Sequence, residues 1–350
     1  MPIRLPVPRL RPMLAALVAA LALLLAAPCS DGQTVLVKVA TLVPDGSSWH
    51  HVLKELAEKW KTLSGGRVTV RLYAGGVAGD DPDVVRKMRL GTLNGGVLTA
   101  VGVAEVDKSV YALGVPLMYD SYEELYAVLE KMRPRLEASI EAKGFVVLNW
   151  ADGGWVHFFT KKPVAVPADM QKLKLFTWAG DNESVEVWKS AGFNPVPLPA
   201  TEIMTGLQTG LVESLGTPPQ LAVIAQYFNH APNMTALRWQ LLLGATLINK
   251  STWEKIPADL RPILLQAARE AGSKLQSDVR AGEARDIEAM KKRGLKVVPV
   301  GPQQLAEWHK LTAAMYPKIR GPIVPADAFD EALRYRDEYR MAHAGGKANP

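Results

Sequence analysis

The stretch "KLKLFTWAGDN", Lys172 to Asn182, sets two large aromatic side chains at the end of a strand. Read with period two, Lys174, Phe176 and Trp178 share one face, and Leu175 and Thr177 share the other. Aromatic faces attract flat, apolar or cationic surfaces. Phe176 and Trp178 are therefore either a core plug or the wall of a binding pocket. Asp181 follows in "DNES", ahead of an apolar stripe. A turn carboxylate there reads first as a helix cap and second as a ligand contact. Trp49 stands one turn into the helix after "DGSS" and is a further candidate contact, with Ser47 and Ser48 as caps.

Other chemistries find little support. The six histidines are scattered, and adjacent His50 and His51 point to different faces of a helix. Metal sites need clustered His, Asp, Glu or Cys, and no such cluster is visible. No nucleophile elbow, phosphate loop or dinucleotide fingerprint occurs in a suitable context. "NGGVLTAVG" is glycine-rich but lacks the spacing and the following helix start. No cofactor is expected. No catalytic constellation is visible, which argues against an enzyme only weakly, because triads assemble from distant positions.

The 350 residues are 48% apolar and 22% charged, a globular composition long enough for two modest lobes. "MPIRLPVPRLRP" carries Arg4, Arg9 and Arg11 and no acid, and an unbroken apolar run follows from Met13 to Ala27. That order reads as an export signal over residues 1–29, short for a membrane span. Three outcomes stay open: a cleaved soluble protein, a lipoprotein anchored through Cys29, and an uncleaved anchor. Without those three arginines the 41 basic residues become 38 against 35 acidic, a net of +3. No basic run follows, so nucleic acid is not an expected partner. Cys29 is the one cysteine, which excludes disulfides within the chain and cysteine-based metal or thiol chemistry in the mature part.

From Thr34 onward strands and helices alternate, the mark of an α/β protein. "TVLVKVATLV", "RVTVRLYAGG", "FVVLNW", "WVHFFTKK" and "LKVVPV" read as strands. "SSWHHVLKELAEKWKTLSGG" reads as a helix with a Ser start and a Gly-Gly stop. "SYEELYAVLEKMRPRLEASIEAKGF" reads as a helix bent or interrupted near Pro134. "NPVPLP" reads as a link before a helix over "TEIMTGLQTGLV". One helical pattern, from Ala258 to Gly294, keeps its stripe through Leu260, Leu264, Ala268, Leu275 and Val279, with Pro262 in the first turn. At 1.5 Å per residue it would span roughly 50 Å, suited to bridging two lobes. "GGKANP" at the end is expected to be disordered.

The stretch from Asn149 to Pro218 resembles the solute-binding proteins of tripartite ATP-independent periplasmic (TRAP) transporters, the DctP-like family. "PADMQKLKLFTW" is similar to that family's approach to its ligand strand. "AGFNPVPLPATEIMTGLQTGLVESLGTPP" is similar to its proline link, its "E-I-x-x-[AG]-L-Q-T-G" helix and the loop beyond. "SGGRVTVRLYAGG" and "GVPLMYDSYEEL" extend the resemblance over nearly the whole mature chain. It implies two α/β lobes joined by crossing strands and a long helix, closing on a small, usually carboxylated, solute. It also implies delivery to a small and a large membrane subunit outside the cytoplasmic membrane.

This chain departs from that pattern at the site. Where the family usually has an arginine on the ligand strand, Phe176 stands. A second common arginine falls at Val156, beside Trp155. The usual asparagine of the following loop is Thr217. A guanidinium holds a carboxylate by two parallel hydrogen bonds, which neither Phe176 nor Val156 can supply. The expected ligand-binding set is Phe176, Trp178, Trp155, Thr217, Asp181 and Trp49. The lobes are expected over 33–152 plus about 243–282, and over 153–242 plus about 283–320, with a C-terminal helix and tail over 321–350. The reading is a periplasmic, TRAP-type solute-binding protein. A receptor that senses without transport, and an exported enzyme on the same fold, are its alternatives.

Overall fold

Four parallel strands each hand over to a helix with its own side-chain cap in the computed structural model, which describes residues 34–343. The export segment with Cys29 and the "GGKANP" tail lie outside the described residues. β1 (Val35–Thr41) leads to α1 (Ser48–Leu63), where Ser47 Oγ accepts the His50 amide at 3.1 Å. β2 (Val68–Tyr73) leads to α2 (Asp81–Arg89), capped by Asp80. β3 (Gly95–Thr99) leads to α3 (Ala100–Ala104), whose cap is Thr99. The helix start not read in "NGGVLTAVG" is thus present, supplied by the threonine hydroxyl that closes the strand.

A 3₁₀ segment (Lys108–Gly114) precedes α4 (Tyr122–Ala142), which runs through Pro134 as one helix rather than stopping there. Its buried face of Leu125, Leu129, Met132 and Leu136 continues across the proline, so tertiary packing outweighs the lost hydrogen bond. The largest departure from expectation is β4 (Phe145–Thr160), one strand where two were expected. Its register shifts between Asp152 and Trp155, and Gly154 there adopts φ +95°. A glycine bulge bends the strand without ending it.

α5 (Pro167–Met170) and β5 (Lys174–Trp178) follow, then α6 (Asn182–Ser190) and β6 (Asn194–Leu198). The "NPVPLP" link is therefore a strand. It ends the sheet path, where a missing amide donor at Pro195 and Pro197 is tolerated. The next helix opens as a 3₁₀ turn (Ala200–Glu202), continues as α7 (Ile203–Thr209) and stops at Gly210, φ +76°. β7 (Ser214–Thr217) and α8 (Pro219–Ile224) come next. The chain closes with β8 (Asn233–Thr235), β9 (Gln240–Asn249), α9 (Lys250–Lys255), α10 (Arg261–Lys291), β10 (Lys296–Val298), α11 (Pro302–Ile319) and α12 (Ala326–His343).

The strands form one hydrogen-bonded path, β2-β1-β3-β9-β4-β7-β5-β6, with β8 and β10 branching from β4. Residues 145–156 of β4 pair with β9, and residues 157–160 pair with β7. One bent strand thereby serves two half-sheets. The first half-sheet buries Val37, Trp60 and Leu264 on one face and Val84, Leu129 and Leu247 on the other. The second buries Phe159, Leu207 and Phe228 on one face and Phe158, Trp239 and Trp308 on the other. Covering both faces of mainly parallel strands is the normal requirement of their apolar runs. α10, 31 residues and so roughly 46 Å long, spans both. Its Ala267 and Ala268 join the first core and its Met290 joins the second. Among the described residues no helix is long and apolar enough to cross a membrane.

Candidate functional site

β1, β3, β5, β6 and β7 all direct their carboxyl ends toward one cleft of about 590 Å³. Its walls include Thr41–Pro44 after β1, Thr99–Val101 after β3, Thr177 and Trp178 at the end of β5, Ala200 and Thr201 after β6, and Thr217 and Pro218 after β7. Ligands of open α/β sheets collect at such strand ends, because the helices that follow splay apart there. β4 and β9 supply the back wall through Asn149, Gly153, Val156 and Leu241–Thr246.

The two sides touch across the rim. Asp80 Oδ2, from the first half, accepts the Ala200 amide of the second at 2.7 Å. Lys108 Nζ meets Glu183 Oε1 at 2.7 Å, and that ammonium holds the Glu183 carboxyl below its ordinary range. Tyr111 donates to Asp181 Oδ2 at 3.4 Å. Burial, with Asp181 beside it, pushes the Tyr111 phenol up, so it stays a neutral donor. At Gly76, φ +74°, an added Cβ would lie 2.7 Å from Thr201 Cγ2. The positive φ and the close approach of the Thr201 side chain both favour glycine there. The cleft is seen with its sides drawn together.

Two buried acids stand behind this rim. Asp81 is fully buried, and its Oδ2 accepts both the amide and the hydroxyl of Thr99 at 2.8 Å. Burial pushes its carboxyl up to about 7, the dominant effect over those two hydrogen bonds. Burial also raises neighbouring Asp80.

Five of the six residues singled out in the sequence line the cleft: Trp49, Phe176, Trp178, Asp181 and Thr217. Phe176 and Trp178 meet edge to face at 5.8 Å, and Phe176 also packs into the core with Leu198, Ile203 and Leu207. It is both wall and core, because the strand that carries it ends at the cleft. Asp181 caps α6, accepting the Ser184 amide at 3.1 Å. The structure places Trp155 elsewhere. It is 1% exposed, packs on Tyr122 at 5.4 Å, lies under Arg238 and does not line the cleft. Val156, the next residue on the same strand, does line the cleft, so alternation turns Trp155 to the opposite face.

The lining also contains residues that sequence reasoning passed over. Thr177 faces away from Phe176, yet it lines the cleft because both faces of a strand are open at its end. Tyr111 comes from the 3₁₀ segment, for which no sequence signal pointed to the site. Three buried polar atoms on the lining residues have no hydrogen-bond partner: Trp49 Nε1, Thr177 Oγ1 and Thr217 Oγ1. Among the described residues the lining contains no Arg, Lys or His. Among the described residues no group of His, Cys, Asp and Glu is placed to hold a metal ion.

Comparison with known proteins adds a family. The family described as bacterial extracellular solute-binding protein, family 7, matches residues 39–321. The C4-dicarboxylate-binding periplasmic protein DctP of Rhodobacter capsulatus is 28% identical over 315 residues, covering 87% of this chain and 89% of that one. The 2,3-diketo-L-gulonate-binding periplasmic protein YiaO of Escherichia coli is 24% identical over 253 residues, 72% of this chain and 77% of that one. Among solved structures, a TRAP periplasmic solute-binding protein of Ralstonia eutropha with bound (S)-2-acetolactate superposes with a TM-score of 0.81 at 22% identity, covering 87% of this chain and 99% of that one.

Proposed function

The chain belongs to the bacterial extracellular solute-binding proteins of family 7, the solute receptors of TRAP importers, and from that premise we propose that the cleft between the half-sheets is where it captures its solute. The observation that carries this reading is the cleft itself, walled from both half-sheets at their strand ends and bridged at the rim by Asp80–Ala200 and Lys108–Glu183. A solute that touches both sides favours the closed arrangement by its differential contacts.

We further propose two lobes, 33–152 with about 243–282, and 153–242 with about 283–320. The change of partners in β4 at residue 157 and the reach of α10 support this division. The C-terminal helix returns to the first lobe, where Arg135–Glu331 and Lys131–Glu338 tie α12 to α4. In this proposal Phe176, Trp178, Thr217 and Trp49 contact the solute, and Asp181 shapes the rim. Trp155 supports the wall from behind. The protein works in the periplasm, binds without turnover and delivers its cargo to a small and a large membrane subunit.

Small-angle scattering tests the reading. Protein stripped of its solute should contract when that solute, recovered from protein purified out of its own host, is returned. Identical curves with and without it would count against closure.

A further inference from the structure

The relatives with a solute in their names bind acids, but among the described residues this cleft has no cationic side chain to hold one. Among the described residues the lining carries no Arg, Lys or His. Phe176 and Val156 lie on β5 and β4 as apolar wall, 7% and 4% exposed. The second device for a carboxylate, the amino end of a helix, is already occupied at α1 and α6. α1 is capped by Ser47, and α6 is capped by the carboxylate of Asp181, which would repel a second anion. α8 opens on Pro218 and Pro219, which lack amide hydrogens, so its first donor is the Gln220 amide, one residue further in.

A cation fares no better. The lining has two carboxylates, and both are engaged inside the protein. Asp152 accepts from Tyr126 at 2.8 Å, Arg280 at 3.0 Å and the Gly154 amide at 3.1 Å. Asp181 accepts from Ser184 and Tyr111. An ammonium would have to compete with bonds already made.

What remains unpaired is neutral. Trp49 Nε1 is a donor only, so its partner must be an acceptor. The hydroxyls of Thr177 and Thr217 can donate or accept, and both side chains are at least nine-tenths buried. Thr217 and Trp178 end the neighbouring strands β7 and β5 at the cleft, and Thr177 opens on the other face of β5 from Phe176 and Trp178. Buried polar groups without partners are costly and uncommon in folded proteins. Three of them on one cleft, amid aromatic walls, are complementary to a ligand that supplies the missing bonds.

We propose that the cleft selects an uncharged organic solute with a flat, largely apolar body and a carbonyl or similar oxygen, held by Trp49 Nε1 and the hydroxyls of Thr177 and Thr217, and that it rejects the corresponding carboxylate and amine. This rests on the solute-binding reading of the same cleft. At about 590 Å³ the cleft holds more than a four-carbon acid needs. Edge-to-face Phe176 and Trp178 supply the apolar contact, and the three polar atoms fix orientation. Rejection of charge follows from desolvation: a carboxylate or ammonium loses its water on closure and finds no counter-charge.

The test uses three probes that share one skeleton, indole-3-acetamide, indole-3-acetate and tryptamine, titrated calorimetrically into the mature protein at pH 7. The amide should bind at least tenfold more tightly than the acid and the amine. Thr217→Val, which keeps shape and removes the hydroxyl, and Trp49→Phe, which removes the N–H along with one ring, should each weaken the amide about threefold to tenfold. Circular dichroism of both variants establishes that they fold. Equal or tighter binding of the acid or the amine overturns the inference and leaves the solute-binding reading standing, as does amide affinity unchanged in both variants. Failure of the amide to bind also overturns the inference. Should native mass spectrometry of protein released gently from its own host show no small molecule, and scattering show no closure, the underlying reading falls as well.

Discussion

At the crossing of β4 behind the cleft, Asp152 has three donors within hydrogen-bond distance, and Arg280 lies over the rings of Tyr122 at 4.1 Å and Tyr126 at 4.9 Å. Gln276 of α10 donates to Tyr126 Oη at 2.6 Å and to the Trp150 carbonyl at 3.2 Å. A few residues along, β7 pairs with β4 at His157–Thr217, yet the Thr217 hydroxyl has no partner. The two regions share a strand and differ in where their polar groups spend their bonding capacity. At the crossing a guanidinium and a carboxylate hold helix to strand. In the cleft no guanidinium is present and neutral groups are left unsatisfied. A charge pair suits a joint whose two sides keep fixed contact, since it is costly to break. Unsatisfied neutral groups suit a place where a visitor completes the set.

Four experiments break or sharpen that contrast. The largest effect belongs to the crossing. Asp152→Ala leaves Arg280, Tyr126 and the Gly154 amide without their acceptor. Unfolding in urea should show a loss of about 3–5 kcal/mol. A loss under about 1 kcal/mol would mean that the crossing does not depend on its charge pair.

Phe176→Ala comes next, because this residue belongs to both core and wall. Truncating a buried Phe costs about 3 kcal/mol or more, and the same variant should lose solute affinity. A destabilised variant with full affinity would assign Phe176 to the core alone. Phe176→Arg places the missing guanidinium beside Thr217, and succinate binding, expected to be weak in the unaltered protein, should then strengthen. Micromolar succinate binding without the substitution would contradict the contrast directly.

Asp81 gives a pH signature. Its carboxyl ordinarily titrates near 3.8 and in the fold near 7. Between those values the native state binds more protons than the unfolded chain, so stability declines with rising pH. The contribution is full below about pH 4, and it is lost as pH passes about 7. Asp81→Asn keeps an oxygen for the two Thr99 donors and removes the titration. The difference in urea midpoint between variant and unaltered protein should therefore grow in the variant's favour from pH 4.5 to pH 8. A constant difference would show that Asp81 titrates normally.

The smallest effect is at the rim. Lys108 and Glu183 are each about half exposed, and such pairs contribute little. Lys108→Met should weaken solute binding less than threefold, and that difference should vanish in high salt. A larger, salt-resistant loss would move the rim pair into the class of the crossing.

Much of the fold was legible in the sequence because its signals are local. Pro262 in a first turn and the stripe from Leu260 to Val279 set out α10, and "SSWHH" with its Gly-Gly stop set out α1. Phe176 and Trp178 could be placed at a strand end by period alone. What the sequence could not show depended on partners far along the chain. Pro134 stays inside α4 because α12, two hundred residues on, packs along that helix through Arg135–Glu331. "NPVPLP" becomes a strand because it lies at an edge. β4 stays one strand because Gly154 can take a positive φ against Val279 of α10, where a Cβ would meet Val279 Cγ1 at 2.9 Å. Beyond the bulge Val156 faces the cleft, and alternation turns Trp155 away from it. Residue types alone determined that this chain lacks the arginines of its resemblance. Only the tertiary structure decided that no other cation fills their place, because a neighbour in the cleft is set by which strand ends converge and not by spacing along the chain.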